Sequence, residues 1–241
     1  MKAMILAAGR GERMRPLTDR IPKPLLSVGG KPLIVWHLER LAKAGLRDVV
    51  INHAHLGEQI ETSLGDGARW NLGIRYSPEP PGALETAGGI ANALPLLGSE
   101  CDDSAFLVIN GDIFCDWSPA AMMLASADLA HLVLVPNPEQ HPRGDFRLDG
   151  GRVRDNGEPT HTFAGIGVYR PELFASVTRG QRAKLAPLLR AAMAERRVSG
   201  ELHAGCWVDV GTPQRLAELD RQLGPQSHAG TAPAAQARGD I

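Results

Sequence analysis

Residues 4–26 read MILAAGRGERMRPLTDRIPKPLL. An apolar run from Met4 to Ala8 gives way at once to glycine and charge. Between Arg10 and Lys23 there are five basic residues against two acids, Glu12 and Asp19. A short apolar run closed by glycine reads as a fully buried strand. A loop leaving the carboxyl end of such a strand, in an open parallel sheet, lies at the ligand crevice. Gly9 and Gly11 let the backbone approach a ligand closely and turn N–H groups toward it. Arg10, Arg13, Arg15 and Lys23 supply charge, and a guanidinium matches the paired oxygens of a phosphate. Pro22 and Pro24 hold Lys23 in a pre-set backbone. The stretch predicts a triphosphate cradle, with a solvated basic loop as the plain alternative. Two neighbouring motifs fail: GRGERM lacks the third glycine of a dinucleotide fingerprint, and neither this stretch nor GGKP at 29–32 completes a P-loop.

Outward from this strand, helical and strand patterns alternate. PLIVWHLERLAKAG (32–45) has apolar residues at helical spacing and a glycine stop. DVVINHAH (48–55) reads as a strand and about 56–64 as a helix. GIRYSPE (73–79) is a third strand, TAGGIANALPLL (86–97) a helix of small residues, and SAFLVINGD (104–112) a fourth strand. This order predicts an α/β sandwich, a mostly parallel central sheet covered on both faces. Beyond it, LAHLVLVPNPE (129–139) is another central strand. GDFRLDGGRVRDNGEP (144–159) alternates and turns at Gly150-Gly151, the pattern of an exposed β-hairpin. FAGIGVYRPELF (163–174) returns to the core, and KLAPLLRAAMAERR (184–197) is an amphipathic helix. GCWVDVGTPQRLAELDRQL (205–223) gives strand, turn and last helix, with Gly211 or Thr212 at the N-cap and Pro213 first in the helix. Residues 224–241 lack periodicity and are rich in Ala, Gly and Pro, the composition of a flexible tail.

The totals bound the function. With 241 residues and 43% of them apolar, the chain supports a sizeable core. Its formal charge of −1 gives no general attraction to nucleic acid or to membranes. Cys101, Cys115 and Cys206 lie far apart in no zinc spacing, the pattern of reduced thiols in a cytoplasmic protein. The scattered histidines suggest no metal site. No run approaches membrane-spanning length, and the N-terminal apolar stretch is too short for a signal peptide.

LAAGRGERMRPLTDRIPKPLL (6–26) resembles the signature of the sugar-1-phosphate nucleotidyltransferases, G-x-G-x-R followed by P-L-T and P-K-P. VINGD (108–112) and WVDVGTPQRL (207–216) agree with two further family stretches, so the resemblance spans residues 1 to about 223. It implies a Rossmann-like α/β/α fold, a single domain with a nucleotide half (about 1–112) and a sugar-binding half (about 113–223) that carries the hairpin as a small subdomain. The implied reaction is in-line attack of a sugar-1-phosphate oxygen on the α-phosphorus of a nucleoside triphosphate, expelling pyrophosphate. By the same resemblance Arg13, Lys23, Asp112 and Asp209 are the catalytic residues, with Asp112 and Asp209 holding Mg²⁺. Ala8, Gly9, Gly11, Glu12, Arg13, Lys23, Gly82 and Thr86 contact the nucleotide, with Glu79 or Glu85 beside them. Family relatives often carry Gly where Glu85 stands. Asn110, Gly144, Asp145, Asn156 and Glu158 line the sugar side, although the lysine of the family's E-K-P is missing at Glu158-Pro159.

Within the family, the compact members with LETAGG and NGD imply UTP and N-acetylmuramic acid 1-phosphate as substrates, as in peptidoglycan recycling. The lactyl carboxylate of that sugar calls for a cation, and Arg143, Arg147 and Arg154 are candidates. Mannose-1-phosphate guanylyl transfer and glucose-1-phosphate thymidylyl or uridylyl transfer are the alternatives, and a non-catalytic sensor is the alternative from another class. All four of Arg13, Lys23, Asp112 and Asp209 are retained, which favours the enzyme. Neither nucleic acid nor membrane is an expected partner, and the expected assembly is a monomer or small homo-oligomer.

Overall fold

A computed structural model of the chain describes residues 1–98, 105–119 and 124–224; the tail expected at 224–241 lies outside them from residue 225. The strands are β1 (Ala3–Leu6), β2 (Ser27–Val28), β3 (Lys31–Pro32), β4 (Asp48–His53), β5 (Gly73–Pro78), β6 (Phe106–Asn110), β7 (Ile113–Cys115), β8 (Ala130–Val135), β9 (Phe146–Asp149), β10 (Arg152–Arg154), β11 (Thr160–Tyr169), β12 (Val198–Leu202) and β13 (Trp207–Asp209). The helices are α1 (Leu33–Lys43), α2 (Gly57–Leu64), α3 (Glu85–Leu97), α4 (Leu185–Ala194) and α5 (Pro213–Leu223). Among the described residues no helix is long and apolar enough to cross a membrane.

Nine strands form one sheet in the order β5-β4-β1-β6-β11-β8-β12-β10-β9. β1 lies between β4 and β6, parallel to both, with Leu6 opposite Asn52 on one side and Asn110 on the other. Its side chains alternate faces: Ala3 and Ile5 enter the core under α1 and α2, and Met4 enters the core under α3 and α4. Burying apolar side chains on both faces explains the unbroken apolar reading of this strand. The chain runs outward from β1 to β4 and β5, then α3 carries it back across β1 to β6. The order reverses beside β1, so the loop at residues 7–26 opens at the topological switch point.

β10 and β11 run against the other seven strands. β11 separates β6 from β8, so the parallel run is interrupted at the sheet's middle. The expected hairpin forms as β9 and β10, with Gly150 and Gly151 in the left-handed region at its tip. It is not exposed. Phe146 and Val153 are buried in the second core, and β9 pairs with β11 while β10 pairs with β12. The pairings β11–β8–β12–β10–β9–β11 therefore close on themselves. Strand β12, drawn from the polar stretch VSGEL, carried no alternating signal and was not anticipated.

Two small ribbons complete the fold. β7 and β13 pair antiparallel, with Asp209 opposite Ile113 and Trp207 opposite Cys115. β2 and β3 form a tight turn on which α5 docks, Gly29 N–H donating to Asp220 Oδ1 at 2.7 Å. Val28, Leu33, Phe114, Val210 and Leu219 make the third core that joins the two ribbons. Helix α5 begins as the sequence predicts, with Pro213 first and the Thr212 hydroxyl accepting from Arg215 N–H.

Candidate active site

The loop after β1 sorts its charges by partner. Gly11 is left-handed (φ 70°), and Thr18, fully buried, donates its hydroxyl to the Gly11 carbonyl at 2.9 Å. Arg10 donates to the Thr18 carbonyl and, at 2.8 Å, to Asp19, which Arg15 also meets at 2.9 Å. These guanidiniums, Arg10 first, hold the Asp19 carboxyl below its usual range. Arg10 and Arg15 thus brace the loop from its outer side. Arg13 and Lys23 face the other way and line a cleft of about 420 Å³. Lys23 sits in a single helical turn between Pro22 and Leu26, is only 7% exposed, and reaches Asp112 Oδ2 with its Nζ at 2.6 Å. A buried ammonium needs such a partner, since removing either ion strands the other away from water.

The ends of β1, β4 and β6 form the floor. Asn52 accepts the Ala7 N–H at 2.9 Å and donates to Glu79 Oε1 at 2.6 Å, and Glu79 Oε2 accepts the Leu84 N–H at 2.7 Å. Glu79 therefore spends both oxygens tying the loop at 79–84 to the cradle. Gly89 makes this possible, because a Cβ there would lie 2.5 Å from Glu79 Oε1. Ala83 and Glu85 take left-handed backbones (φ 53° and 61°), unusual for residues with side chains. Glu85 lies 3.3 Å from Arg182, and both line the cleft. Two N–H groups in the first turn of α3 are already satisfied: Ala87 and Gly88 donate to the Ala183 carbonyl at 2.9 and 3.1 Å. Thr86 lines the cleft and is not the cap, which is Leu84.

The far wall is the β7–β13 ribbon. Gly111 passes so close to β1 that a Cβ would stand 2.7 Å from the Leu6 carbonyl. Val210 N–H donates to the Asp112 carbonyl at 3.1 Å, so Asp112 and Asp209 leave adjacent backbones at one end of the ribbon. Asp209 is held by Arg215, whose Nη1 donates to Oδ2 at 2.6 Å and to the Asp209 carbonyl at 2.9 Å. A Cβ on Gly211 would lie 3.0 Å from Asp209 Oδ2 and 3.2 Å from Arg13 Nη2. Gly211 is thus where the second acid and the cradle arginine converge. Behind the ribbon, buried His37 donates from Nε2 to the Ile113 carbonyl at 2.8 Å, and burial lowers its pKa to about 4. The two carboxylates offer hard oxygen donors, a set suited to a divalent cation that completes its shell with phosphate and water oxygens.

Ala8, Gly9, Gly11, Glu12, Arg13, Lys23, Gly82, Thr86, Asn110 and Asp112 all line this one cleft. Asp209 stands just behind its wall, next to Gly211. Gly144, Asp145, Asn156 and Glu158 are outside the lining. Asp145 bonds His141 at 3.0 Å and accepts the Phe163 N–H at 2.8 Å, so its carboxylate closes its own loop. Of the arginines considered for the sugar acid, Arg147 and Arg154 both lie near Asp149, at 3.8 and 3.4 Å. Arg143, Arg147 and Arg154 do not line the cleft, whereas Arg182 does. Asn52 and Arg182 were not anticipated. Asn52 could have been flagged as the lone amide in an apolar strand, but Arg182 carried no signal. His53 and His55 take separate partners, Glu61 and the Thr18 carbonyl.

Residues 2–225 match the family model for the nucleotidyl transferase domain. The N-acetylmuramate α-1-phosphate uridylyltransferase of Neisseria meningitidis serogroup B is 56% identical over 232 residues, covering 93% of this chain and 99% of that protein. The protein of the same name from Caulobacter vibrioides is 35% identical, covering 92% and 96%. Among solved structures, HddC from Yersinia pseudotuberculosis complexed with GMP-PN superposes with a TM-score of 0.72 at 19% identity, over 92% of this chain and 98% of that one. That likeness establishes the fold.

Proposed function

The chain belongs to the nucleotidyl transferase family, and on that premise we propose that it transfers a uridylyl group from UTP to N-acetylmuramic acid 1-phosphate, giving UDP-N-acetylmuramic acid and pyrophosphate. The observation that carries the chemistry is the cleft itself: a glycine-bearing loop with Arg13 and Lys23 faces a ribbon end with Asp112 and Asp209. The choice of base and sugar rests on the Neisseria relative, which matches nearly end to end. Such a reaction serves the reuse of peptidoglycan sugars.

An oxygen of the sugar phosphate forms the new bond to the α-phosphorus, and the bond from that phosphorus to the α–β bridging oxygen breaks with its electrons leaving on pyrophosphate. The nucleophile is anionic at neutral pH, so no side chain has to take a proton. What the chain must do is align two anions and absorb their charge. In this reading Arg13 meets the departing pyrophosphate, and Lys23 moves from Asp112 to the α-phosphate and the attacking phosphate. The backbone of Ala8 to Glu12 cradles the remaining oxygens, and Gly82 and Thr86 flank the base. Asn110 turns its amide toward the sugar, with Gly144, Asp145, Asn156 and Glu158 as the outer part of the sugar side. Asp112 and Asp209 are the residues to hold Mg²⁺, which when bound neutralises charge on the α-phosphate.

Pyrophosphate release from a matrix of nucleoside triphosphates against sugar 1-phosphates, with Mg²⁺ present, tests the reading. UTP with N-acetylmuramic acid 1-phosphate is expected to give the highest kcat/KM. A preference for GTP with mannose 1-phosphate would overturn the substrate assignment, and no release from any pair would overturn the reaction.

A further inference from the structure

The ribbon that carries Asp112 and Asp209 at one end carries a second group of chemistry-bearing side chains at the other. Cys115 Sγ, an Asp116 carboxylate oxygen and a His203 ring nitrogen all lie within 4.8 Å of one another. Cys115 is buried, at 2% exposure, and sits opposite Trp207 in the ribbon. His203 Nε2 and Asp116 Oδ1 are 2.7 Å apart. The loop from 203 to 206 closes onto this pair because residue 205 is glycine: a Cβ there would lie 2.5 Å from Asp116 Oδ1 and 2.6 Å from His203 Nε2. Asp116 N–H donates to the Cys206 carbonyl at 3.0 Å, which brings a second, exposed thiol to the same loop, with its sulfur outside the three-residue cluster.

Among the described residues, a cation faces the group: Arg40, on α1, stacks its guanidinium 4.6 Å from the centre of the Phe114 ring, and its Nη1 is buried with no hydrogen-bond partner among them. Its charge interacts with Cys115, Asp116 and Cys206. With both cysteines as thiolates, the three anionic side chains Cys115, Asp116 and Cys206 carry a formal charge of about −3, which a divalent ion and Arg40 together cancel. Three ligands without Cys206 would leave Arg40 uncompensated.

We propose that Cys115, Asp116, His203 and Cys206 form a binding site for a zinc-type divalent ion, distinct from the Asp112–Asp209 pair. Mixed sulfur, nitrogen and oxygen donors select a borderline-soft ion and disfavour Mg²⁺. A tetrahedral ion with bonds of about 2.0–2.3 Å sets its donors roughly 3.5 Å apart. The spacing of Cys115, Asp116 and His203 accommodates this once the His203–Asp116 hydrogen bond opens into two metal bonds, and Cys206 completes the shell by turning its exposed thiol inward. Each thiol releases its proton to solvent as its sulfur binds, so two protons leave per ion. An ion here ties the 203–206 loop to β7 and stiffens the ribbon behind the catalytic acids.

The test is a titration of Co²⁺ into the reduced full-length chain, followed by absorption and checked by Zn²⁺ competition. The expected result is one equivalent bound, with thiolate-to-cobalt charge-transfer bands and tetrahedral ligand-field bands. One equivalent of Zn²⁺ is expected to displace it, and millimolar Mg²⁺ is not. His203→Ala and Cys206→Ser lie in an exposed loop and should each abolish the saturable spectrum, as should Cys115→Ser if it folds, while Asp209→Asn leaves it intact. Absence of the charge-transfer bands, or their survival in His203→Ala, would overturn the site.

Discussion

Lys23 carries the charge balance of the cleft. It is buried, paired with Asp112 at 2.6 Å, and aimed along the cleft floor. In the proposed reaction, Lys23→Ala removes a charge that faces the transition state, and it strands the acid opposite. Loss of one such electrostatic contact is worth about 3 kcal/mol, so kcat is expected to fall by about 100-fold or more in steady-state pyrophosphate assays. Glu85 presents the opposite case. Its left-handed backbone (φ 61°) disfavours any side chain, and its exposed pairing with Arg182 at 3.3 Å returns little. Glu85→Gly should stabilise the fold by about 1 kcal/mol in urea unfolding. His37 sets a pH dependence. Its folded pKa of about 4 lies below the ordinary value of 6.5, because burial disfavours the imidazolium. The unfolded chain therefore takes the proton first, and His37's contribution is complete above pH 6.5 and lost as pH falls toward 4. Between pH 7.5 and 5 the loss is about 2 kcal/mol. His37→Gln, which keeps a donor for the Ile113 carbonyl, should remove that part of the slope.

Irregular pieces of the elements place the cleft side chains. β11 shifts register against β8 between Phe163 and Ile166, and the bulge contains Gly165 in a left-handed backbone (φ 75°). A Cβ at Gly165 would lie 2.5 Å from Asn110 Nδ2, so the bulge makes room for the amide at the end of β6. Gly165→Ala should raise KM for the sugar 1-phosphate more than KM for the triphosphate, measured by varying each in turn. The glycine pair of α3 was readable only as a small-residue helix start. Its purpose, admitting Glu79 beside Gly89 and the Gln181 carbonyl beside Gly88, depends on segments far away in sequence. The strands with unbroken apolar runs and the helices with clean spacing were legible, because burial on one or two faces writes a period into the chain. β12 and the buried side of the hairpin were not, since their polarity reflects half-burial and ladder pairing with partners no local pattern specifies.

For the whole molecule, the sheet order turns local motifs into one site. The cradle at residues 7–26 was visible as glycine, charge and proline in sequence, and it lies at the switch point that the strand alternation predicts. That Asp112 and Asp209 meet across nearly a hundred residues was carried by family likeness alone; what joins them physically is the β7–β13 ladder. The residues expected on the outer sugar side lie beyond the cleft lining, and Arg182 enters it from a segment with no motif. Whether the two ribbon acids serve the transfer of a nucleotidyl group is read from pyrophosphate release with UTP and N-acetylmuramic acid 1-phosphate in Asp112→Asn and Asp209→Asn, with folding checked by unfolding midpoints. Turnover is expected to collapse in both variants while each remains folded. Undiminished turnover in either one would contradict that role.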